Sequence, residues 1–205
     1  MDLFVRGVAI GFVIAAGLGP IGLLCIRRSL ESGFGLGFAT GLGAATADAA
    51  YAAVAAFGAS ALGAALVDAR RPLAVAGGIV LIALGVNAWL HAADRVAAAD
   101  DRLSRRDVVT AWATTVGLTL ANPMTILSFA AAFVALVPPD QDPGAAARIV
   151  AGVGLGSGTW WLILAGGTSI VRRAVTPRGL RGVRYASAVL FIGFGIVAFG
   201  TALVS

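Results

Sequence analysis

The chain has no lysine, a single cysteine, a single histidine and two methionines, and charged residues make up only 12% of its 205 positions. Each shortage excludes something. One thiol, Cys25, cannot form an internal disulfide or a redox pair. With His91 as the sole imidazole, a histidine metal centre or a conventional His-dependent triad has little support, and no resident metal, cofactor or catalytic residue is expected. The scarcity of charge, against a soluble norm of roughly 25%, argues against a water-soluble fold, a disulfide scaffold or a disordered chain.

Apolar residues, in contrast, fill 59% of the chain, with a mean hydropathy of +0.93. A soluble domain of this size could not bury so much apolar surface, so the composition reads as an all-α integral membrane protein. The formal charge of +5 does not mark a nucleic-acid binder, because its arginines cluster between apolar runs, as membrane topology requires. Six runs approach the about 20 apolar residues of a span: Leu3 to Ile26, Phe34 to Gly58, Pro72 to Leu90, Val108 to Val137, Ile149 to Ile170 and Tyr185 to Val204. The first has features of a cleaved signal peptide, but its polar break recurs later in the chain, which favours a structural span. The reading is one membrane domain over 1–205, with a charged loop at 93–106 that is expected to be solvated. Eleven of the fifteen arginines fall in the connectors after spans one, three and five. Arginine-rich connectors stay cytoplasmic, so both termini are expected outside.

The two halves of the chain echo each other. Gly17-Leu18-Gly19-Pro20 in span one matches Leu120-Ala121-Asn122-Pro123 in span four at an offset of 103. Gly41-Leu42-Gly43 in span two matches Gly154-Leu155-Gly156 at an offset of 113, and Val80 to Gly85 matches Leu190 to Gly195 at 110. Each match is weak alone, but the three occur in order. Three spans per copy is odd, so the second copy enters the membrane from the opposite side. The expected architecture is thus an inverted 3+3 repeat, about 1–92 and about 107–205. Such repeats suit secondary transporters with a binding site near the midplane.

Asp48 stands about 14 residues into span two. At about 1.5 Å per residue this is near mid-membrane. A carboxylate facing lipid there costs about 2.5–3.5 kcal/mol or more, and no arginine stands three or four positions away. Asp48 either binds an amine or a coupling proton, or is a protonated or hydrogen-bonded structural residue. Pro20 and Pro123 each remove an intrahelical hydrogen bond, and Gly17, Gly19 and Asn122 weaken the helix further. Helices one and four are therefore expected to kink or break at Gly19-Pro20 and Asn122-Pro123. Broken helices in a membrane line aqueous cavities, and their freed N–H groups hold anions. Asn122 adds an amide that both donates and accepts. Trp160, Trp161, Asn87 and Thr46 are secondary candidates for lining the cavity. The competing reading is packing for the tryptophans, an interhelical hydrogen bond for Asn87, and a bond back to its own helix for Thr46. The spacing Gly33, Gly37, Gly41 reads as close helix packing.

Together these residues resemble the LysE family of amino-acid exporters, including its RhtB-like branch. That family has a Gly-Pro in the first helix, here Leu18-Gly19-Pro20, and a Gly-rich second helix with an Asp, here Thr46-Ala47-Asp48. Its Asn-Pro-Lys motif in the fourth helix, followed by an aromatic and a proline, corresponds to Asn122-Pro123-Met124, then Phe129, Phe133 and Pro138. The resemblance covers the whole chain. Leu18 replaces the first proline of the family's Pro-Gly-Pro, Ala47 a glycine, and Met124 the lysine, which removes a charge that could have met a substrate carboxylate or the Asp. The resemblance implies export of amino acids or close derivatives, driven by the proton gradient or the membrane potential. It also implies a bacterial plasma-membrane location, with the bilayer and a small-molecule substrate as partners, and it allows a homodimer. Two alternatives stay open: a divalent-cation exporter of the same superfamily, which normally needs several carboxylates, thiols or imidazoles, and a small membrane-embedded transferase using His91 beside Asp94.

Overall fold

The computed structural model describes residues 2–17, 19–57, 70–90, 104–136 and 142–204. These form eight α-helices: α1 (Leu3–Ala16), α2 (Pro20–Ser32), α3 (Phe34–Ala56), α4 (Arg70–Leu90), α5 (Arg105–Leu120), α6 (Pro123–Leu136), α7 (Pro143–Val171) and α8 (Pro177–Val204). A 3₁₀ turn, Arg172–Ala174, joins the last two. There is no strand among the described residues.

Local chemistry sets the boundaries. Asp2 caps α1, accepting from the Phe4 N–H at 3.4 Å. Asp142 caps α7, its Oδ1 accepting from Gly144 and Ala145 at 2.8 and 3.0 Å, and Pro143 supplies a preset first turn. The helix therefore starts six residues before the expected Ile149. Ser104 and Asp107 form a reciprocal capping box at the start of α5. Hydrogen bonds from the Ser104 hydroxyl and N–H hold the Asp107 carboxyl below its ordinary range. Between α2 and α3 the chain turns at Gly33, whose φ of 88° suits a residue without Cβ.

The expected spans one and four are each two helices. Their continuous ladders stop at Ala16 and Leu120 and restart at Pro20 and Pro123, as the missing proline N–H groups require. The axes of α1 and α2 diverge by 76°. By length and composition, Pro143–Ala174 and Arg178–Gly200 are long and apolar enough to cross a bilayer, and the bent α1–α2 pair adds a third. Among the described residues that is fewer than the six expected. The apolar part of α4, Val75–Leu90, is short, span four is divided, and small and polar residues dilute the hydropathy of α3. The ends of the second and fourth expected spans (Gly58, Val137), residues 93–103 of the loop expected at 93–106 and the His91–Asp94 pair lie outside the described residues.

Small residues bring the backbones together. Gly7 and Gly11 on α1 face Gly152 and Gly156 on α7, so a methyl on any of them would collide with the opposite main chain. Two facing Gly-x-x-x-Gly stripes of this kind let membrane helices pack by close backbone contact. The α3 helix packs on α7 and α5, and α4 packs along α8. At the far end of α2, the only glutamate in the chain, Glu31, accepts from Arg184 of α8 at 2.8 Å and lies 3.9 Å from Arg27. Arg172 donates to the Leu30 and Glu31 carbonyls at 3.0 and 3.1 Å. Arg28 donates to Thr40 Oγ1, the Ala111 carbonyl and Thr115 Oγ1 at 2.9, 3.3 and 3.4 Å. The end of α2 and the link between α7 and α8 therefore sit together.

Candidate functional site

Asp48 is buried at 3% exposure on α3. Its alanine neighbours let α7 approach, and Ser157 of α7 donates its hydroxyl to Asp48 Oδ2 at 2.6 Å. One turn later on the same face, Trp161 donates its indole N–H to Ser157 Oγ at 3.1 Å. The serine hydroxyl thus has its proton committed to the carboxylate and one of its lone pairs occupied by the indole. Gly41 makes this contact possible, since a Cβ there would strike Trp161.

A cavity of about 60 Å³ opens beside Asp48. Its polar lining comes from Asp48, Thr119, Asn122 and Thr125, and its backbone lining from Gly17, Gly19, Pro20 and Gly22. Ile14, Ala15, Ile21, Ala44 and Trp161 complete the wall. The volume exceeds the roughly 10–15 Å³ needed for one water. Both helix breaks and the buried acid therefore border one space.

The two breaks differ in their chemistry. Asn122 turns its side-chain carbonyl onto the Met124 N–H at 3.1 Å and so caps α6. Its amide NH₂ is the group left to offer a ligand. The start of α2 has only Gly19 as its cap residue, with no side-chain hydrogen bond. The Leu120 carbonyl, at the end of α5, accepts instead from the Tyr51 hydroxyl at 2.6 Å. Tyr51 stands one turn beyond Asp48 on α3, so the same helix carries the acid and braces the second break.

Of the residues expected from sequence, Asp48, Asn122, Pro20, Gly19, Gly17 and Trp161 meet at this cavity, and Pro123 opens α6 beside it. Among the described residues, the lining does not include Trp160, Asn87 or Thr46. Trp160 packs edge-on against Phe12 of α1, with ring centroids 5.5 Å apart. Asn87 is exposed on α4. Thr46 is exposed on α3, donating to the Leu42 carbonyl at 2.7 Å and accepting from Trp112 at 3.2 Å. Two residues from Asp48 is about 200° around a helix, which carries Thr46 away from the cavity. Met124, where the resemblance expects lysine, is 67% exposed and does not line the cavity. Sequence reasoning missed Ser157, Thr119 and Tyr51. For Ser157 there was a signal, because it lies four residues before Trp161 and so shares its face.

A multi-helix, strongly apolar chain with a polar cavity at two broken helices has the make-up of a membrane transport protein. The sequence model of the LysE type translocator family matches residues 12–200, and the chain belongs to that family. It is an integral, multi-pass membrane transporter of small molecules and not an enzyme. No curated protein matches the chain, and no solved structure does.

Proposed function

We propose that the protein exports amino acids or close derivatives from the cytoplasm across a bacterial plasma membrane, coupled to the proton gradient. The observation that carries this reading is the convergence of one buried carboxylate and two helix breaks on a single cavity. In this reading the substrate ammonium or a coupled proton engages Asp48. The substrate carboxylate meets N–H groups at a helix start, where the dipole is positive, and the Asn122 amide assists.

The transport cycle follows from six spans arranged as an inverted 3+3 repeat, with both termini outside. Helix pairing supports the repeat. The first half of span one packs on span five, as the first half of span four packs on span two. Spans two and five pack on each other, as do spans three and six. One repeat rocking against the other would expose the cavity to alternate sides. Asp48, Asn122, Gly17, Gly19, Pro20 and Pro123 form the substrate and proton site.

The test loads proteoliposomes with a panel of labelled amino acids and imposes, then collapses, a pH gradient. Efflux of at least one amino acid that slows on collapse supports the reading. Efflux of none of them overturns it.

A further inference from the structure

Among the described lining residues, Thr119 is the one with a buried, unpartnered side-chain oxygen. It is 3% exposed on α5, and its hydroxyl has no hydrogen-bond partner. A helical threonine ordinarily satisfies itself by donating to the carbonyl four residues back. Thr40, Thr46, Thr114, Thr115 and Thr159 all do so here, at 2.6–2.8 Å. Thr119 does not, although leaving a buried hydroxyl unpaired is unfavourable. It borders the cavity together with Gly19, Pro20, Ile21 and Gly22, the start of the uncapped α2. A thirteen-residue helix ending there without a side-chain cap presents first-turn N–H groups and the positive end of its dipole.

The charge inventory completes the picture. Among the described residues, the lining holds one ionisable side chain, Asp48, and no arginine. The cavity thus offers one negative charge and one positive helix end, with the unpaired Thr119 hydroxyl enclosed in its wall beside an apolar surface of Ile14, Ala15, Ile21, Ala44 and Trp161. That set complements one ammonium and one carboxylate. A basic side chain would need a second acid, and an acidic side chain a second cation.

We infer that this site selects small neutral amino-acid zwitterions, with the substrate carboxylate held by the Thr119 hydroxyl and the start of α2 rather than by the capped start of α6. This rests on the exporter reading. It adds a specificity residue and a substrate class to it.

The experiment measures efflux of labelled L-alanine, L-lysine, L-aspartate and L-alaninamide from proteoliposomes, for the wild type, Thr119→Val and Thr119→Ser. The wild type is expected to carry alanine at least about tenfold more efficiently than lysine, aspartate or the amide, since each leaves a polar group unpaired. Thr119→Val should raise the KM for alanine about tenfold or more and narrow the alanine-to-alaninamide ratio. Thr119→Ser should restore both. Lysine carried as well as alanine would overturn the substrate class while leaving the exporter reading intact. An unchanged alanine-to-alaninamide ratio in Thr119→Val would remove the residue from the site. If none of the four compounds moves but a large or charged amino acid does, the small neutral class is wrong. If no amino acid moves at all, the exporter reading falls with it.

Discussion

Asp48→Asn separates charge from shape at the centre of the proposed mechanism. The two side chains are nearly isosteric, and an amide oxygen can still accept the Ser157 hydroxyl that now sits 2.6 Å from Oδ2. The Trp161–Ser157 link at 3.1 Å is preserved too, so the wall keeps its packing. What disappears is the only ionisable group lining the cavity among the described residues. A hydrogen bond to a charged group contributes about 1.5–3 kcal/mol, and each 1.4 kcal/mol is about tenfold in affinity. An ammonium that engages Asp48 should therefore lose about 10- to 150-fold in KM. Protein stability should hold or rise, because a buried charge without an ionic partner has been removed. The assay is efflux from proteoliposomes across a range of internal pH, with thermal unfolding in detergent as the control for folding. The rate should fall as estimated and lose its dependence on pH, while the unfolding temperature stays level. A variant that transports with wild-type KM and wild-type pH dependence would refute the role given to Asp48.

Three further outcomes follow from the packing. Gly11→Val places a side chain against the Val153 main chain, and overpacking of this kind costs about 1–3 kcal/mol; thermal unfolding in detergent should show the loss, while the same change at Gly117, which has open space beside it, should not show that steric cost. Tyr51→Phe removes the hydroxyl on the Leu120 carbonyl and should cost about 1 kcal/mol, read as faster amide exchange around residues 121–125. The Asp107 carboxyl is held below its ordinary value of 3.8 by Ser104. Its cap is therefore fully present above that value and is lost as the pH falls through the lower, folded-state value; amide exchange at the start of α5 should rise only under strong acid, and Ser104→Ala, which leaves only the backbone N–H on the carboxyl, should weaken the dependence.

The breaks and the buried acid were legible because each carries its reason locally. A proline lacks an N–H whatever surrounds it, and a carboxylate amid alanines in an apolar run is costly wherever the helix packs. The partners were not legible, since Ser157 reaches Asp48 across 109 positions and only the crossing of α3 with α7 decides which residues face it. Thr119 looked like any helical threonine; its lack of a partner is a tertiary fact. Thr46 and Trp160 stand near Asp48 and Trp161 in sequence, but helical rotation of about 100° per residue sends them elsewhere. The early starts of α7 and α8 were hidden by segmenting on hydropathy alone. Asp142-Pro143 is itself a helix-start signal, and Thr176 accepts the Gly179 N–H at 3.2 Å to do a similar service ahead of α8.

Helix α2 joins the proposed binding chemistry to the rest of the machine. Its start is uncapped and borders the cavity, while its far end is tied through Glu31 to Arg184 and through its last carbonyls to Arg172. Arg28, midway along that end, reaches Thr40 on α3 and Thr115 on α5. One end is thus open to a ligand, and the other is fastened to elements of both halves of the chain. Tilting α2 away from α3 would have to break charge-assisted bonds to α8, to the 3₁₀ turn and to α5. Under the proposed cycle, a carboxylate bound at the start of α2 acts on the element whose movement those arginines resist. Substrate binding and the opening of the arginine-rich side would then act at opposite ends of α2.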